Sequence, residues 1–126
     1  MRQVVSTPDA PGAIGPYSQA IKASGTFLFI SGQIPLRPDG SMVGPSIEEQ
    51  CEQVMSNLEA VLKAGGSSFG NAVKTTILLS SMDHFATVNE IYGKRFGDRP
   101  PARATYSVVG LPKGVDIEIE MIALVD

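Results

Sequence analysis

The chain has 126 residues, ten of them basic and thirteen acidic, with a formal net charge of −3, one His and one Cys. The length suits one domain over residues 1–126, and the single Cys and single His exclude an internal disulfide, a Cys-based zinc site and a His cluster for a catalytic metal. Without a basic stripe, a membrane-length apolar run or a secretory signal, we expect a cytoplasmic protein that binds neither nucleic acid nor membranes.

The first predicted element is a loop, because residues 7–16 are rich in Pro and Gly. A weakly alternating stretch follows at residues 17–23. The apolar run at residues 27–30 predicts a buried strand, and residues 34–40 have the composition of a turn.

The next predicted element is a helix that begins after Ser46. Ser46 and Glu49 have the spacing of a capping box, and the pair Gly65 and Gly66 favours a helix end. Apolar residues recur every three or four positions on one face, and Cys51 among them is predicted to be a small buried hydrophobe rather than a nucleophile. This face contains Ile47, Cys51, Val54, Met55, Leu58, Val61 and Leu62.

The second half of the chain predicts a strand, a helix and two strands. The strand covers residues 73–79, and Asp83 is predicted to cap the helix, which Gly97 ends. Residues 102–109 and 115–125 are predicted to form the last two strands. The apolar face of this second helix contains Phe85, Val88, Ile91, Tyr92 and Phe96.

This order of elements predicts an α+β fold in which two amphipathic helices cover one face of a mixed sheet. No third helix is predicted to cover the second face. We place Arg103, Thr105, Glu118 and Glu120 on that second face, which is either solvated or covered by another subunit.

Few side chains remain as candidates for catalysis. His84 has the position of an exposed residue in the first turn of a helix, and residues 65–70 lack the Lys of a phosphate loop. Arg103 together with Glu118 and Glu120 suits a small acid substrate, since Arg binds a carboxylate through two parallel hydrogen bonds and Glu can orient a water. On spacing alone, a cross-strand salt bridge on a solvated face is the favoured interpretation of the same residues.

Four motifs occur in a characteristic order: IGPYSQA at residues 14–20, SGQIP at 31–35, FATVNEIY at 85–92, and PARAT at 101–105 followed by LPKGV at 111–115 and IEIE at 117–120. Together they resemble the RidA family of reactive-intermediate deaminases, also called the YjgF family. The resemblance covers nearly the whole chain.

The resemblance implies a chorismate-mutase-like fold, assembled as a homotrimer with ligand sites in clefts between subunits. It also implies an enzyme that hydrolyses 2-imino acids and their enamine tautomers, such as 2-iminobutanoate and 2-iminopropanoate, to 2-oxo acids and ammonia. The family needs neither a metal nor an organic cofactor.

Residue by residue, the resemblance assigns Arg103 to the substrate carboxylate and Glu118 to the water that attacks the imine carbon, with Glu120 as the second candidate for that water. It places Tyr17, Gly32, Asn89 and Thr105 around the substrate. Many family members have Cys where this chain has Thr105, so a thiol at this position is not required here.

Two alternative functions stay open from the sequence. One is a non-catalytic regulator that binds a small ligand or a protein. The other is a translation inhibitor or ribonuclease, which the acidic composition disfavours.

Overall fold

The computed structural model describes residues 1–125, and it combines a mixed sheet with two α-helices in this part of the chain. The elements in chain order are β1 Arg2–Val5, β2 Ala20–Ala23, β3 Thr26–Gln33, α1 Ile47–Ala64, β4 Ala72–Leu79, α2 Phe85–Gly93, β5 Ala102–Ser107 and β6 Ile117–Val125. The sheet has four strands in the order β3-β6-β4-β5; β4 and β5 are parallel, and the other pairs are antiparallel. The α+β prediction is therefore confirmed, while the β1–β2 hairpin was not predicted as a strand pair.

Both ends of α1 have the predicted caps. The Ser46 side chain accepts a hydrogen bond from the backbone N–H of Glu49 at 3.1 Å. At the other end Gly66 has a φ of 78°, and the N–H of Ser67 donates to the carbonyl of Leu62 at 2.8 Å. The left-handed conformation of Gly66 lets this N–H satisfy a carbonyl that the helix end leaves unpaired. Neither α1 nor α2 is long and apolar enough to cross a membrane.

The hydrophobic core lies between the helices and one face of the sheet. Cys51 is fully buried in it, and burial raises the pKa of the thiol to about 12, so the sulfur is an inert apolar group as predicted. The largest contributions from the sheet are Ile77, Leu79, Ile117, Ile119 and Met121, and those from the helices are Val54, Met55, Leu58, Leu62, Val88 and Tyr92.

The strand register corrects the predicted position of Arg103 and Thr105. In β5 these residues pair with Thr75 and Ile77, which are buried on the helix-covered face. Glu118 and Glu120 lie on the opposite, uncovered face of β6, as predicted. The parallel pairing of β5 with β4 determines which residues of β5 face the helices. The alternation of apolar and polar residues in this short strand does not reveal that face.

The uncovered face of the sheet carries large apolar side chains beside its charged ones. Phe29 is 74% exposed there, and Tyr106 is 56% exposed. The prediction of a buried strand at residues 27–30 is therefore wrong in part, since only Ile30 is buried and Phe27 and Phe29 lie on the uncovered face. Apolar residues of this size on a sheet face are typical of a surface that packs against a partner.

The second helix begins and ends at other residues than predicted. Ser81, not Asp83, accepts the capping hydrogen bond, from the N–H of Asp83 at 3.1 Å, and a 3-10 turn precedes α2. The helix ends at Gly93 rather than at Gly97. His84 is half-buried at its start and makes no capping hydrogen bond.

Candidate active site

Arg103 lies at the start of β5 beneath α2. Its Nη1 donates a hydrogen bond to Oδ1 of Asn89 at 2.7 Å. Its Cζ lies 5.4 Å from the ring centre of Tyr17, 5.6 Å from that of Phe85 and 5.4 Å from that of Tyr92. Three aromatic rings and one amide therefore fix the position of the guanidinium, and each ring attracts the cation.

The charge of Arg103 has no counterion among residues 1–125. Burial lowers the pKa of Arg103, while Tyr92 and Tyr17 raise it. The guanidinium remains protonated, because an Arg side chain does not lose its proton in proteins. The ion pairs in the described chain are Lys63–Glu59 and Arg95–Glu52. A half-buried, unpaired guanidinium favours binding of an external carboxylate.

Tyr92 supports the site from behind. It is fully buried, and its hydroxyl lies 2.7 Å from Oγ1 of Thr75. Burial raises the pKa of Tyr92 to about 12, so the hydroxyl keeps its proton. From the sequence, Phe85 and Tyr92 were predicted only as core residues. The available signal was their spacing, because Phe85, Asn89 and Tyr92 follow an i, i+4, i+7 pattern on one helix face.

The backbone of the Gly-Pro-Tyr segment is held against the start of β5 by Ser18. The N–H of Ser18 donates to the carbonyl of Pro101 at 3.1 Å, and the Ser18 hydroxyl donates to the carbonyl of Pro100 at 2.5 Å. These bonds position Tyr17 beside Arg103. Ser18 was not identified as a site residue, although it lies within the IGPYSQA motif.

Gln19 orders the loop that precedes Tyr17. Its Oε1 accepts from the N–H of Thr7 at 2.6 Å, and its Nε2 donates to the carbonyl of Pro11 at 2.6 Å. One amide side chain thus replaces the regular hydrogen bonds that this Pro-rich loop lacks. The sequence did not predict this role of Gln19 in ordering the loop.

Thr105 lies on the same face of β5 as Arg103, roughly 6.6 Å further along the strand. Its hydroxyl oxygen is buried and has no hydrogen-bond partner within residues 1–125. An unsatisfied buried hydroxyl costs about 1–3 kcal/mol. A polar ligand group bound beside Arg103 removes that cost.

Glu118 lies on the uncovered face, next to Gly32. Its Cδ is 2.8 Å from the position that a Cβ on Gly32 would take, and its carboxylate contacts that position directly. Gly32 lies in a register irregularity of β3, between Ile30 and Gln33. Only glycine leaves room for the Glu118 carboxylate in this conformation.

Glu120 lies on the same face but is exposed, and it lines a pocket of about 200 Å³ together with Phe29 and Lys74. The structure thus forms two groups of the predicted residues. Tyr17, Asn89, Arg103 and Thr105 lie on the helix side of the sheet, and Gly32, Glu118 and Glu120 lie on the uncovered face or at its edge. Within one protomer the sheet separates Arg103 from Glu118.

Residues 1–125 contain no group of three or more His, Cys, Asp and Glu side chains positioned to hold a metal ion.

Comparison with known proteins gives one consistent result. Residues 7–125 match the family model described as Endoribonuclease L-PSP. The chain is 51% identical, over 97% of its length, to the chloroplastic Reactive Intermediate Deaminase A of Arabidopsis thaliana, and it spans 65% of that protein. It is 50% identical to the 2-iminobutanoate/2-iminopropanoate deaminase of Homo sapiens, covering 98% of this chain and 90% of that one. The crystal structure of E. coli TdcF with bound serine has a TM-score of 0.75 at 37% identity, covering 98% of this chain and 99% of that one.

Proposed function

The chain belongs to the RidA family of reactive-intermediate deaminases, and we propose that it hydrolyses 2-iminobutanoate and 2-iminopropanoate to the 2-oxo acids and ammonia. The observation that carries the proposal is Arg103, a half-buried cation fixed by Asn89 and three aromatic rings and left without a carboxylate partner in residues 1–125. The substrate carboxylate is the missing counterion. The relatives named for this activity support the choice of substrate.

Substrate binding begins at the guanidinium of Arg103, whose remaining N–H groups hold the carboxylate by two charge-assisted hydrogen bonds. The Thr105 hydroxyl lies on the same side of the strand and donates to, or accepts from, the polar end of the substrate. Tyr17 packs against the substrate from the loop side. The similarity to TdcF, whose crystal structure contains serine, supports a small molecule with a carboxylate group as ligand.

The reaction adds one water to the C=N bond. Glu118 accepts a proton from the water while the oxygen attacks the imine carbon, and it returns that proton to the nitrogen. The hydroxyl proton of the resulting carbinolamine then passes through Glu118 to the amine nitrogen, the C–N bond breaks as the C=O bond forms, and the 2-oxo acid and ammonia leave. An imine is already electrophilic, so positioning the water against the bound substrate supplies much of the rate.

The two groups of site residues come together in a homotrimer. Arg103 lies under α2 at β5, an edge strand of the sheet, and Glu118 lies on the uncovered face. When the uncovered face of one protomer packs against the β5 edge of the next, Glu118 meets Arg103 of the partner subunit. The exposed Phe29 and Tyr106 on that face support this assembly, because another copy of the chain removes their apolar surface from water.

Glu118 rather than Glu120 holds the water. The Glu118 carboxylate is half-buried and in contact with Gly32, whereas Glu120 is exposed beside Lys74. A fixed carboxylate orients a water better than a mobile one. Glu118→Gln is therefore expected to lose far more activity than Glu120→Gln.

A coupled assay tests the function. A threonine dehydratase generates 2-iminobutanoate, and its decay is followed with wild type, Arg103→Ala and Arg37→Ala, an exposed Arg in the turn before α1 that serves as control. We expect acceleration by wild type and by Arg37→Ala, and a loss of at least about 100-fold in Arg103→Ala. Wild type that binds a 2-oxo acid without accelerating decay contradicts the enzyme and indicates a binding module.

A further inference from the structure

A second pocket with two Arg side chains lies away from Arg103, between β1, the turn before β4 and the turn after α2. It has a volume of about 350 Å³ and is lined by Arg2, Gly70, Asn71, Gly97, Asp98 and Arg99. None of these residues takes part in the proposed imine hydrolysis.

Arg2 and Arg99 are held by each other's backbone. Arg2 donates from Nη2 to the carbonyl of Arg99 at 2.7 Å and from Nε to the carbonyl of Ala72 at 2.9 Å. Arg99 donates from Nη2 to the carbonyl of Arg2 at 3.4 Å. Within residues 1–125 the Nη1 groups of both side chains donate to nothing, and neither guanidinium lies within 4.0 Å of a carboxylate.

The hydrogen bonds to backbone carbonyls do not neutralise the two charges at this place. Burial and the nearby Arg99 both lower the pKa of Arg2, so the two cations oppose each other in the absence of an anion. Two guanidiniums with free N–H groups at the wall of a pocket favour an anion.

We propose that the Arg2–Arg99 pocket binds the phosphate group of a small metabolite. Two guanidiniums from segments far apart in the sequence can bind separate oxygens of a tetrahedral anion, whereas one guanidinium suffices for a planar carboxylate. The pocket volume of about 350 Å³ exceeds that of a phosphate and leaves room for the organic part of the metabolite.

Asp98 allows a test in which the proposal predicts the direction of the change in phosphate affinity. It lines the same pocket and carries a negative charge that repels an anionic ligand. Replacing it by Asn is therefore expected to strengthen phosphate binding. If the pocket only holds the fold together, this replacement leaves phosphate binding absent.

The experiment titrates inorganic phosphate into the full chain at low ionic strength, followed by calorimetry and by the NMR shifts of residues around the pocket. Wild type is expected to bind saturably with a Kd on the order of 1 mM. Arg99→Gln is the main variant, because its single bond of 3.4 Å contributes little to folding. It is expected to weaken binding about tenfold, and Asp98→Asn to strengthen it about threefold. Lys94→Gln, an exposed cation outside the pocket, is expected to change nothing.

Three results overturn the proposal: no saturable phosphate binding in wild type, equal binding in Arg99→Gln, or weaker binding in Asp98→Asn. A fourth is preferential binding of a single-stranded RNA with a salt dependence of several phosphates, which assigns the pocket to nucleic acid. The imine assay on Arg99→Gln is expected to give wild-type rates, so this proposal and the proposed function fail independently.

Discussion

At the scale of single residues, the candidate site depends on one glycine that leaves room and on one cation that has no acidic partner within residues 1–125. Gly32 leaves space for a carboxylate, and Arg103 is held in place by uncharged neighbours. In the proposed reaction, both features keep a group ready for substrate instead of pairing it inside the chain. Such preorganisation lowers the reorganisation that the reaction requires.

Gly32→Ala tests the room around Glu118. The added Cβ occupies the place of the carboxylate, so Glu118 is displaced and kcat/KM is expected to fall roughly 100-fold. Gly12→Ala is the matched control, because its Cβ would have no neighbour within 4 Å. Equal kcat/KM in the two variants would show that the position of Glu118 does not matter.

Thr105→Val tests the unpartnered hydroxyl. The replacement keeps the shape and removes a buried oxygen that has no partner within residues 1–125. The free energy of unfolding is expected to stay constant or rise by about 1 kcal/mol, while KM for the imino acid rises. Thermal unfolding and steady-state kinetics measure the two effects. A destabilised variant with unchanged KM would place the hydroxyl in the fold and not in the site.

At the scale of elements, the sequence predicted what depends on local chemistry. The caps of α1 and the apolar face of α1 follow from Ser46, Gly66 and the 3.6-residue period. The predicted cap of α2, Asp83, was wrong because Ser81, two residues earlier, is an equally good capping residue. The prediction of the sheet face on which Arg103 lies was wrong, because that face depends on the pairing of β5 with β4, which is a tertiary contact.

Residue types alone made Arg103, Glu118 and Glu120 candidates, and the family motifs were needed to favour a site over a salt bridge. These motifs added Tyr17 and Asn89, which the structure brings together with Arg103. Phe85 and Tyr92 were missed, because an aromatic residue on an apolar helix face has the same pattern in a core as in a site. The separation of Arg103 from Glu118 by the sheet has no signal in a single sequence.

The contact between α2 and β4 predicts an alkaline pH dependence. Burial raises the pKa of Tyr92 to about 12, from about 10 in an unfolded chain, so its hydroxyl contributes stability below about pH 10 that is lost as the pH rises toward 12. In Tyr92→Phe that loss is absent, and Thr75 loses its partner. The variant is expected to be less stable by about 1–2 kcal/mol at pH 8, with the difference smaller by about 1 kcal/mol at pH 11. Denaturant unfolding at the two pH values measures this, and a constant difference contradicts it.

At the scale of the whole molecule, the apolar uncovered face and the divided site have one explanation. A protomer with two helices covers one face of its sheet and leaves Phe29 and Tyr106 exposed on the other. The same face carries Glu118, which the sheet separates from Arg103. In the proposed homotrimer, the partner subunit covers these apolar side chains and the same contact completes the site.

The most direct test of this account mixes two inactive variants. Arg103→Ala and Glu118→Gln are unfolded together, refolded as a one-to-one mixture, and assayed for imine hydrolysis. If each site takes Arg103 from one protomer and Glu118 from the next, about three quarters of the trimers are mixed and each contains one intact site, which restores about 25% of wild-type activity. Activity that stays at the level of the separate variants, in trimers shown to be mixed, would place both residues in one protomer's site and contradict the account.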